Sequence, residues 1–360
     1  MDDVSAMQRA LELAERGRFT VSPNPLVGCV IVADGVVVGE GWHEAAGRSH
    51  AEINALEEAG PAARGATVYL TLEPCTHTGR TPPCVDALIR AGVGRVVIAA
   101  ADPNPVAAGG ADALRRVGVA VDVGLLRDEA EQQNEVFLHG LRTHRPFVWL
   151  KSATSLDGRV AAADGSSQWL TGAAARRRGH ELRARVDAVL VGSGTVLADD
   201  PQLTVRLDDW NGPQPLRVVL DGRARSPANA RVFDDHAPSL VLVALGARSD
   251  PLRRAGVSVA EVETGADGRL EPQAVLATLW DRGVRSVLVE GGPTVISAFI
   301  ASGCYERIVV HIAPLVLGDR GRPAVFGGPA TLAAAPRLVL DHVEQVGDDA
   351  VLQLRRERRE

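Results

Sequence analysis

Apolar residues recur in two rhythms along this chain. Over 4–16, Val4, Met7, Leu11 and Leu13 stand among charges at helical spacing, and the pattern stops before Gly17. Two apolar runs, 26–32 and 36–41, then flank Asp34-Gly35, which predicts a hairpin. A breaker-free stretch over 50–59 reads as a helix, the run 67–72 as a buried strand, and 84–90 as a helix opened by Pro82-Pro83. A strand over 95–100, a helix over 110–117, a strand over 119–123 and a helix from about 127 follow. This alternation predicts a layered α/β/α unit.

The pattern restarts after the basic, Pro-containing junction at 139–147, which places a domain boundary near 145 and two domains at 1–145 and 146–360. Strands are expected over 146–151, 187–191, 216–220, 239–243, 257–262, 286–289 and 307–312. Helices are expected over 173–184, 273–280 and from 294 to about 302, with an antiparallel pair between 336 and 354 and a frayed charged end over 355–360. The second domain is therefore also α/β.

Composition narrows the class. The chain is 46% hydrophobic and 23% charged, as globular proteins are. No apolar run approaches the ~18 residues that span a bilayer, and Met1-Asp2-Asp3 is unlike the basic start of a signal peptide. A cytoplasmic protein without membrane partners is expected. The net charge of −6 argues against a large nucleic-acid footprint and for a small-molecule substrate. Lys151 is the only lysine in an arginine-rich chain. Either the site requires a compact ammonium there, or the residue is a chance survivor.

Candidate chemistry concentrates in one window. His50-Ala51-Glu52 is answered by Glu73-Pro74-Cys75 and Pro82-Pro83-Cys84. One imidazole and two thiolates make three ligands for Zn²⁺ and leave a fourth position open for water. Glu52 is surplus to the ligand count and is placed to shuttle protons. His50-x-Glu52 followed by Pro-Cys matches the zinc nucleobase deaminase signature, although the cysteines stand eight residues apart rather than two. His77 as a fourth ligand would close the site and leave Glu52 without a role. Cys29 lies in an apolar strand and reads as core, and Cys304 has no partner pattern. In the second half, Gly192-Ser193-Gly194-Thr195 and Glu290-Gly291-Gly292-Pro293-Thr294 each follow a strand and open a helix. They suit the phosphates of a dinucleotide, or are simply two tight turns.

The run from Glu73 to Cys84 with His50-Ala51-Glu52 and Asp102-Pro103-Asn104-Pro105 resembles the deaminase half of the bifunctional RibD (RibG) riboflavin-biosynthesis family, within the cytidine deaminase-like superfamily. The longer spacing between the cysteines is that family's own loop. The resemblance implies His50, Cys75 and Cys84 as zinc ligands and Glu52 as proton shuttle, with Asn24, His43, Arg80, Asp102 and Asn104 facing the substrate. From the residues alone Asn24 is equally a turn residue and His43 a surface histidine.

The segments 151–159, Ser167-Gln168-Trp169, 195–201 and 290–294 resemble the reductase half of the same family, which has a dihydrofolate reductase-like fold and uses NADPH. That half implies a cofactor site of Thr154, Trp169, Thr195, Asp199, Gly292, Pro293 and Thr294, and a substrate site of Lys151, Ser167, Arg183, Leu203, Arg206 and Glu290. Without the resemblance, Arg183 and Arg206 read as solvated surface residues. The implied activity is zinc-dependent deamination of a phosphorylated ribosylaminopyrimidine, then NADPH-dependent reduction of its ribosyl group, in a homo-oligomer. The alternatives are a zinc deaminase whose second domain only binds a nucleotide, and a zinc-stabilised module without catalysis.

Overall fold

The computed structural model describes residues 1–78 and 82–357. The chain forms two compact units, Met1–His144 and Arg145–Glu360.

The first unit is built on a five-stranded sheet. Helix α1 (Asp3–Glu15) leads into the hairpin β1 (Gly28–Ala33) and β2 (Val36–Trp42), then α2 (Ala51–Ala59), β3 (Thr67–Leu72), α3 (Cys84–Ala91), β4 (Arg95–Ala100), α4 (Gly110–Arg116), β5 (Ala120–Val123), α5 (Arg127–Gln133) and α6 (Glu135–Thr143). Strand order is β2-β1-β3-β4-β5; β1 runs antiparallel to β2 and β3, while β3, β4 and β5 are parallel. Period-two alternation sends Ile31, Val68, Leu70, Val96 and Ile98 to one face, against α2, α3 and α4. Val30, Val32, Tyr69, Val97 and Ala99 face α1 and Ala130 of α5. The expected single helix from 127 is two helices that meet at Asn134. Asn134 is buried, and its side chain both donates to and accepts from the Leu26 backbone at 2.8 Å.

The second unit carries β6 (Phe147–Ser155), β7 (Arg159–Ala161), α7 (Ala173–Ala184), β8 (Ala188–Gly192), α8 (Ser193–Asp199), β9 (Leu216–Leu220), β10 (Ser239–Ala244), α9 (Asp250–Arg254), β11 (Ser258–Val262), α10 (Pro272–Trp280), β12 (Ser286–Gly291), α11 (Pro293–Ser302), β13 (Arg307–Ala313), β14 (Arg322–Pro323), β15 (Leu338–Val346) and β16 (Asp349–Arg356). Nine strands order as β11-β10-β9-β8-β12-β6-β13-β16-β15, parallel from β11 to β13 and antiparallel from there. Helices α10 and α11 cover one face through Val275, Leu276, Leu279, Ile296 and Phe299. The opposite face carries Val189, Val191, Val219 and Val241.

Strand β6 runs four residues beyond its apolar stretch, because β13 pairs with it from Trp149 to Ser155. The terminal strand also reaches further than expected: Arg355 and Arg356 pair with β15 rather than fraying.

Candidate functional site

Three element ends converge in the first unit. His50 is the N-cap of α2, in extended conformation, and its side chain caps nothing, which leaves the imidazole available. Cys75 lies just past β3, and Cys84 is the first residue of α3. The candidate ligand atoms of His50, Cys75 and Cys84 lie within 4.8 Å of one another. His50 Nδ1 is 3.1 Å from Cys84 Sγ and 3.6 Å from Cys75 Sγ. The Cys84 amide, at the helix start, donates to Cys75 Sγ at 3.4 Å and favours the thiolate. The Cys75 thiol is pulled well below its usual range, first by its hydrogen bond with Cys84. One imidazole and two thiols at this spacing fit tetrahedral zinc with an open position.

Two glycines let the ligand-bearing segments seat this closely. A Cβ on Gly41 of β2 would lie 2.3 Å from the Ala51 carbonyl of α2. One on Gly110 would lie 2.1 Å from the Pro74 carbonyl, beside Cys75.

Glu52, one residue into α2, is 3% exposed, and burial raises its pKa. Asn24 and His43 come together as expected: Asn24 Nδ2 is 3.0 Å from His43 Nε2, and His43 Nδ1 is 3.0 Å from the Ser49 carbonyl. The His43 ring meets that of His50 edge-on, centroids 5.5 Å apart. Asp102 and Asn104 lie in the loop after β4; Asp102 Oδ1 accepts from the Asn104 amide at 2.8 Å. Burial, and then the charges of Glu73 and Cys75, raise the Asp102 pKa against the lowering hydrogen bond from Asn104. Arg80 lies outside the described residues.

Glu73 was not singled out by sequence pattern, yet it buckles this loop. Its Oε2 accepts from the Asp102 amide at 3.1 Å and its Oε1 from the Ala111 amide of α4 at 2.9 Å. An acid at a strand end directly before Pro-Cys was the available signal.

The second unit has a cleft of about 970 Å³ at the carboxyl ends of its parallel strands, where open α/β sheets place their ligands. Of the expected cofactor residues, Trp169, Thr195, Asp199, Gly292, Pro293 and Thr294 line it, while Thr154 is buried within β6 and is not on the cleft wall. Trp169 is 66% exposed, with the Arg176 guanidinium 4.8 Å from its ring centroid. All six expected substrate residues, Lys151, Ser167, Arg183, Leu203, Arg206 and Glu290, line the same cleft.

Arg183 is not a solvated surface residue. Its Nε and Nη2 donate to the two oxygens of Glu290 at 2.7 and 2.8 Å, and its Nη1 donates to the Thr204 carbonyl at 2.9 Å. Burial pushes Glu290 up, but the charge and hydrogen bonds of Arg183, with the charges of Lys151 and His180, together outweigh it and hold the carboxyl at about 2. Lys151 lies close by on β6, its pKa lowered first by burial. A Cβ on Gly179 of α7 would stand 3.8 Å from Lys151 Nζ, so the helix backbone passes over the ammonium. Leu203 is 2% exposed and in the left-handed region, φ +57°.

Residues 1–100 match the family described as the cytidine and deoxycytidylate deaminase zinc-binding region, and residues 146–352 match the RibD C-terminal domain. The riboflavin biosynthesis protein RibD of Escherichia coli K12 is 44% identical over 98% of this chain and 99% of its own. The chain belongs to the RibD family. Mycobacterium tuberculosis RibD is 45% identical over 97% of this chain and 96% of its own. The structure of Acinetobacter baumannii RibD superposes with a TM-score of 0.89, at 41% identity over 99% of both chains. A Thermotoga maritima protein, described as a diaminohydroxyphosphoribosylaminopyrimidine deaminase and 5-amino-6-(5-phosphoribosylamino)uracil reductase, superposes at 0.88, with 37% identity over 98% of both chains. RibD membership makes the chain a bifunctional deaminase and reductase of riboflavin biosynthesis, with a zinc-binding deaminase region and an NADPH-dependent type of reductase. It also gives the two predicted folds, cytidine deaminase-like and then reductase. No helix among the described residues is long and apolar enough to cross a membrane.

Proposed function

We propose that residues 1–145 deaminate 2,5-diamino-6-(5-phosphoribosylamino)pyrimidin-4(3H)-one. Residues 146–360 then reduce the product, 5-amino-6-(5-phosphoribosylamino)uracil, to 5-amino-6-(5-phosphoribitylamino)uracil. Both steps would take place in a cytoplasmic homo-oligomer. The substrates carry over from the Thermotoga maritima relative's description. The observation that supports the first step is a buried carboxyl, Glu52, beside a His50–Cys75–Cys84 cluster that does not need it as a ligand.

In the deaminase unit His50, Cys75 and Cys84 would hold zinc, which supplies the Lewis acidity that makes water nucleophilic near neutral pH. Glu52 takes a proton from the attacking water and delivers it to the ring nitrogen as the C–O bond forms. It then moves the second water proton to the exocyclic amine, the C–N bond breaks, and ammonia leaves a carbonyl behind. The raised pKa of Glu52, caused by burial, suits a group that must both accept and donate. Asn24 and His43, joined by their hydrogen bond, present one polar edge to the ring. Asp102 and Asn104 present another from the loop that Glu73 fixes.

In the reductase unit Trp169, Thr195, Asp199 and Gly292–Thr294 line the wall for NADPH, which supplies the hydride. The hydride goes to C1′ of the ribosyl group, and one proton completes the opened ribityl chain. Lys151 lines the cleft, where its ammonium would polarise the reacting oxygen. Burial lowers its pKa and makes it a better proton donor than a surface lysine. Arg183 orients Glu290 beside it.

The test is to incubate the full chain with the diaminopyrimidinone phosphate, with and without NADPH. Ammonia should appear in both cases, and NADPH should be oxidised only after deamination. Ammonia release without any cofactor oxidation would leave a deaminase with a non-catalytic second domain.

A further inference from the structure

Lys151 lines the reductase cleft as a cation without a partner. Among the described residues its ammonium makes no hydrogen bond or ion pair. Glu290 is near enough for its charge to act on Lys151, but both Glu290 oxygens are engaged by Arg183, at 2.7 and 2.8 Å. His311 is the converse, an acceptor without a donor. It is 1% exposed, and neither ring nitrogen has a hydrogen-bond partner. Burying an unsatisfied imidazole is unfavourable. The alternate positions on the same strand face, Val309 and Ala313, are apolar.

Sheet register brings the two together. Strand β6 lies between β12 and β13. Val309 pairs with Lys151, and His311 with Ala153. Paired residues share a sheet face, and so do residues two apart on one strand. His311 therefore stands on the Lys151 face, one step away diagonally. Such neighbours lie about 7–8 Å apart, within reach of a long side chain. Glu290 takes the other flank, since Val289 pairs with Leu150 and the two residues that follow are Glu290 and Lys151. Three adjacent strands thus carry a carboxylate, an ammonium and an imidazole in a row.

Helix α7 covers this row. Gly179 passes over Lys151, and the charge of Arg178 reaches His311. Arg178 is itself paired, with Glu181 at 2.8 Å and Glu344 at 3.0 Å, so it has no need of the imidazole. Burial, and then the charges of Lys151 and Arg178 against that of Glu290, keep the His311 ring neutral. A neutral imidazole retains one acceptor nitrogen. The lysine stem is flexible, and a turn of it carries Nζ toward that ring.

We propose that His311 is a positioning residue for Lys151: its imidazole accepts a hydrogen bond from the ammonium and holds Nζ in the row, aimed at the reacting oxygen, while Glu290 stays with Arg183. The inference rests on the reductase reading of the second unit. It adds to that reading a residue that stands behind the cleft wall and touches neither substrate nor cofactor.

The test is the single-turnover rate of NADPH oxidation by the full chain with the deaminated compound. The variants are His311→Leu, His311→Phe and His311→Gln, each also made with Lys151→Gln, with urea midpoints at pH 8. His311→Leu should slow oxidation about tenfold, the value of a hydrogen bond to a charged group, while KM holds. Its midpoint should be no lower than wild type, because an apolar side chain replaces an unsatisfied polar one. His311→Gln, which keeps an acceptor, should recover part of the rate. In the Lys151→Gln background, His311→Leu should change the rate less than about twofold, since the two residues act as one unit. A wild-type rate in folded His311→Leu overturns the inference. So does an undiminished tenfold loss in the Lys151→Gln background, or a slower rate that comes with a lowered midpoint. Failure of both His311→Leu and His311→Phe to fold also overturns it, by making the ring a structural element. A wild-type chain that oxidises no NADPH with the deaminated compound overturns the reductase reading along with it.

Discussion

Arg183 and Glu290, 107 residues apart in sequence, form a two-point ion pair that joins the last turn of α7 to the end of β12. Their side chains are 14% and 10% exposed, so neither charge is well solvated without the other. Removing one partner leaves the second buried and uncompensated, which typically costs about 3–5 kcal/mol. Arg183→Gln should therefore lower the unfolding midpoint of the second unit in urea well beyond Arg206→Gln, which breaks no ion pair. Equal midpoints for the two variants would show that the pair carries no such stability.

A second prediction concerns acid. His311 on β13 is 1% exposed, and neither ring nitrogen has a hydrogen-bond partner. Burial, and then the charges of Lys151 and Arg178 against that of Glu290, bring its pKa down to about 3. In the unfolded chain it titrates near 6.5. Between those values the unfolded state binds a proton that the native state refuses, so stability falls as pH drops from about 6.5 toward 3. Urea midpoints of the second unit, measured across this window, should decline less steeply in His311→Leu than in wild type. Parallel pH profiles would remove His311 from the acid response.

The Glu73 buckle gives a third. Glu73→Ala frees the amides of Asp102 and Ala111, each charged hydrogen bond being worth about 1.5–3 kcal/mol. The ligand set His50, Cys75 and Cys84 does not include Glu73, so zinc content should persist. Deamination should lose mainly in KM as the 102–104 loop loosens, with reductase turnover of the deaminated substrate unchanged. A large fall in bound zinc would instead make Glu73 part of the metal cradle.

Fourth, chelation should divide the activities. The candidate ligands all lie in the first unit and the reductase cleft in the second. Stripping zinc should abolish ammonia release while leaving NADPH oxidation with the deaminated substrate at its original rate. Loss of both would tie the second activity to the metal.

Much of this was legible because it is local. Apolar runs mark β1, β3, β4, β8, β10 and β12, and His50, Cys75 and Cys84 declare themselves by residue type and context. What escaped depends on distant partners. Arg183 looks solvated until Glu290 is folded against it. Asn134 ends α5 because its side chain satisfies Leu26 on another segment. The far half of β6 reads as a polar loop because β13 supplies the pairing that makes it a strand.

The most direct measurement follows ammonia and NADPH together in Glu52→Gln, with zinc quantified on the same sample. Zinc should remain near one per chain. From the diaminopyrimidinone phosphate, ammonia release should fall about 10²–10⁴-fold, as for loss of a general acid–base, and cofactor oxidation should fall with it. From the deaminated compound, NADPH oxidation should match wild type. Wild-type ammonia release by zinc-loaded Glu52→Gln would contradict the account, as would failure of the deaminated compound to restore cofactor oxidation.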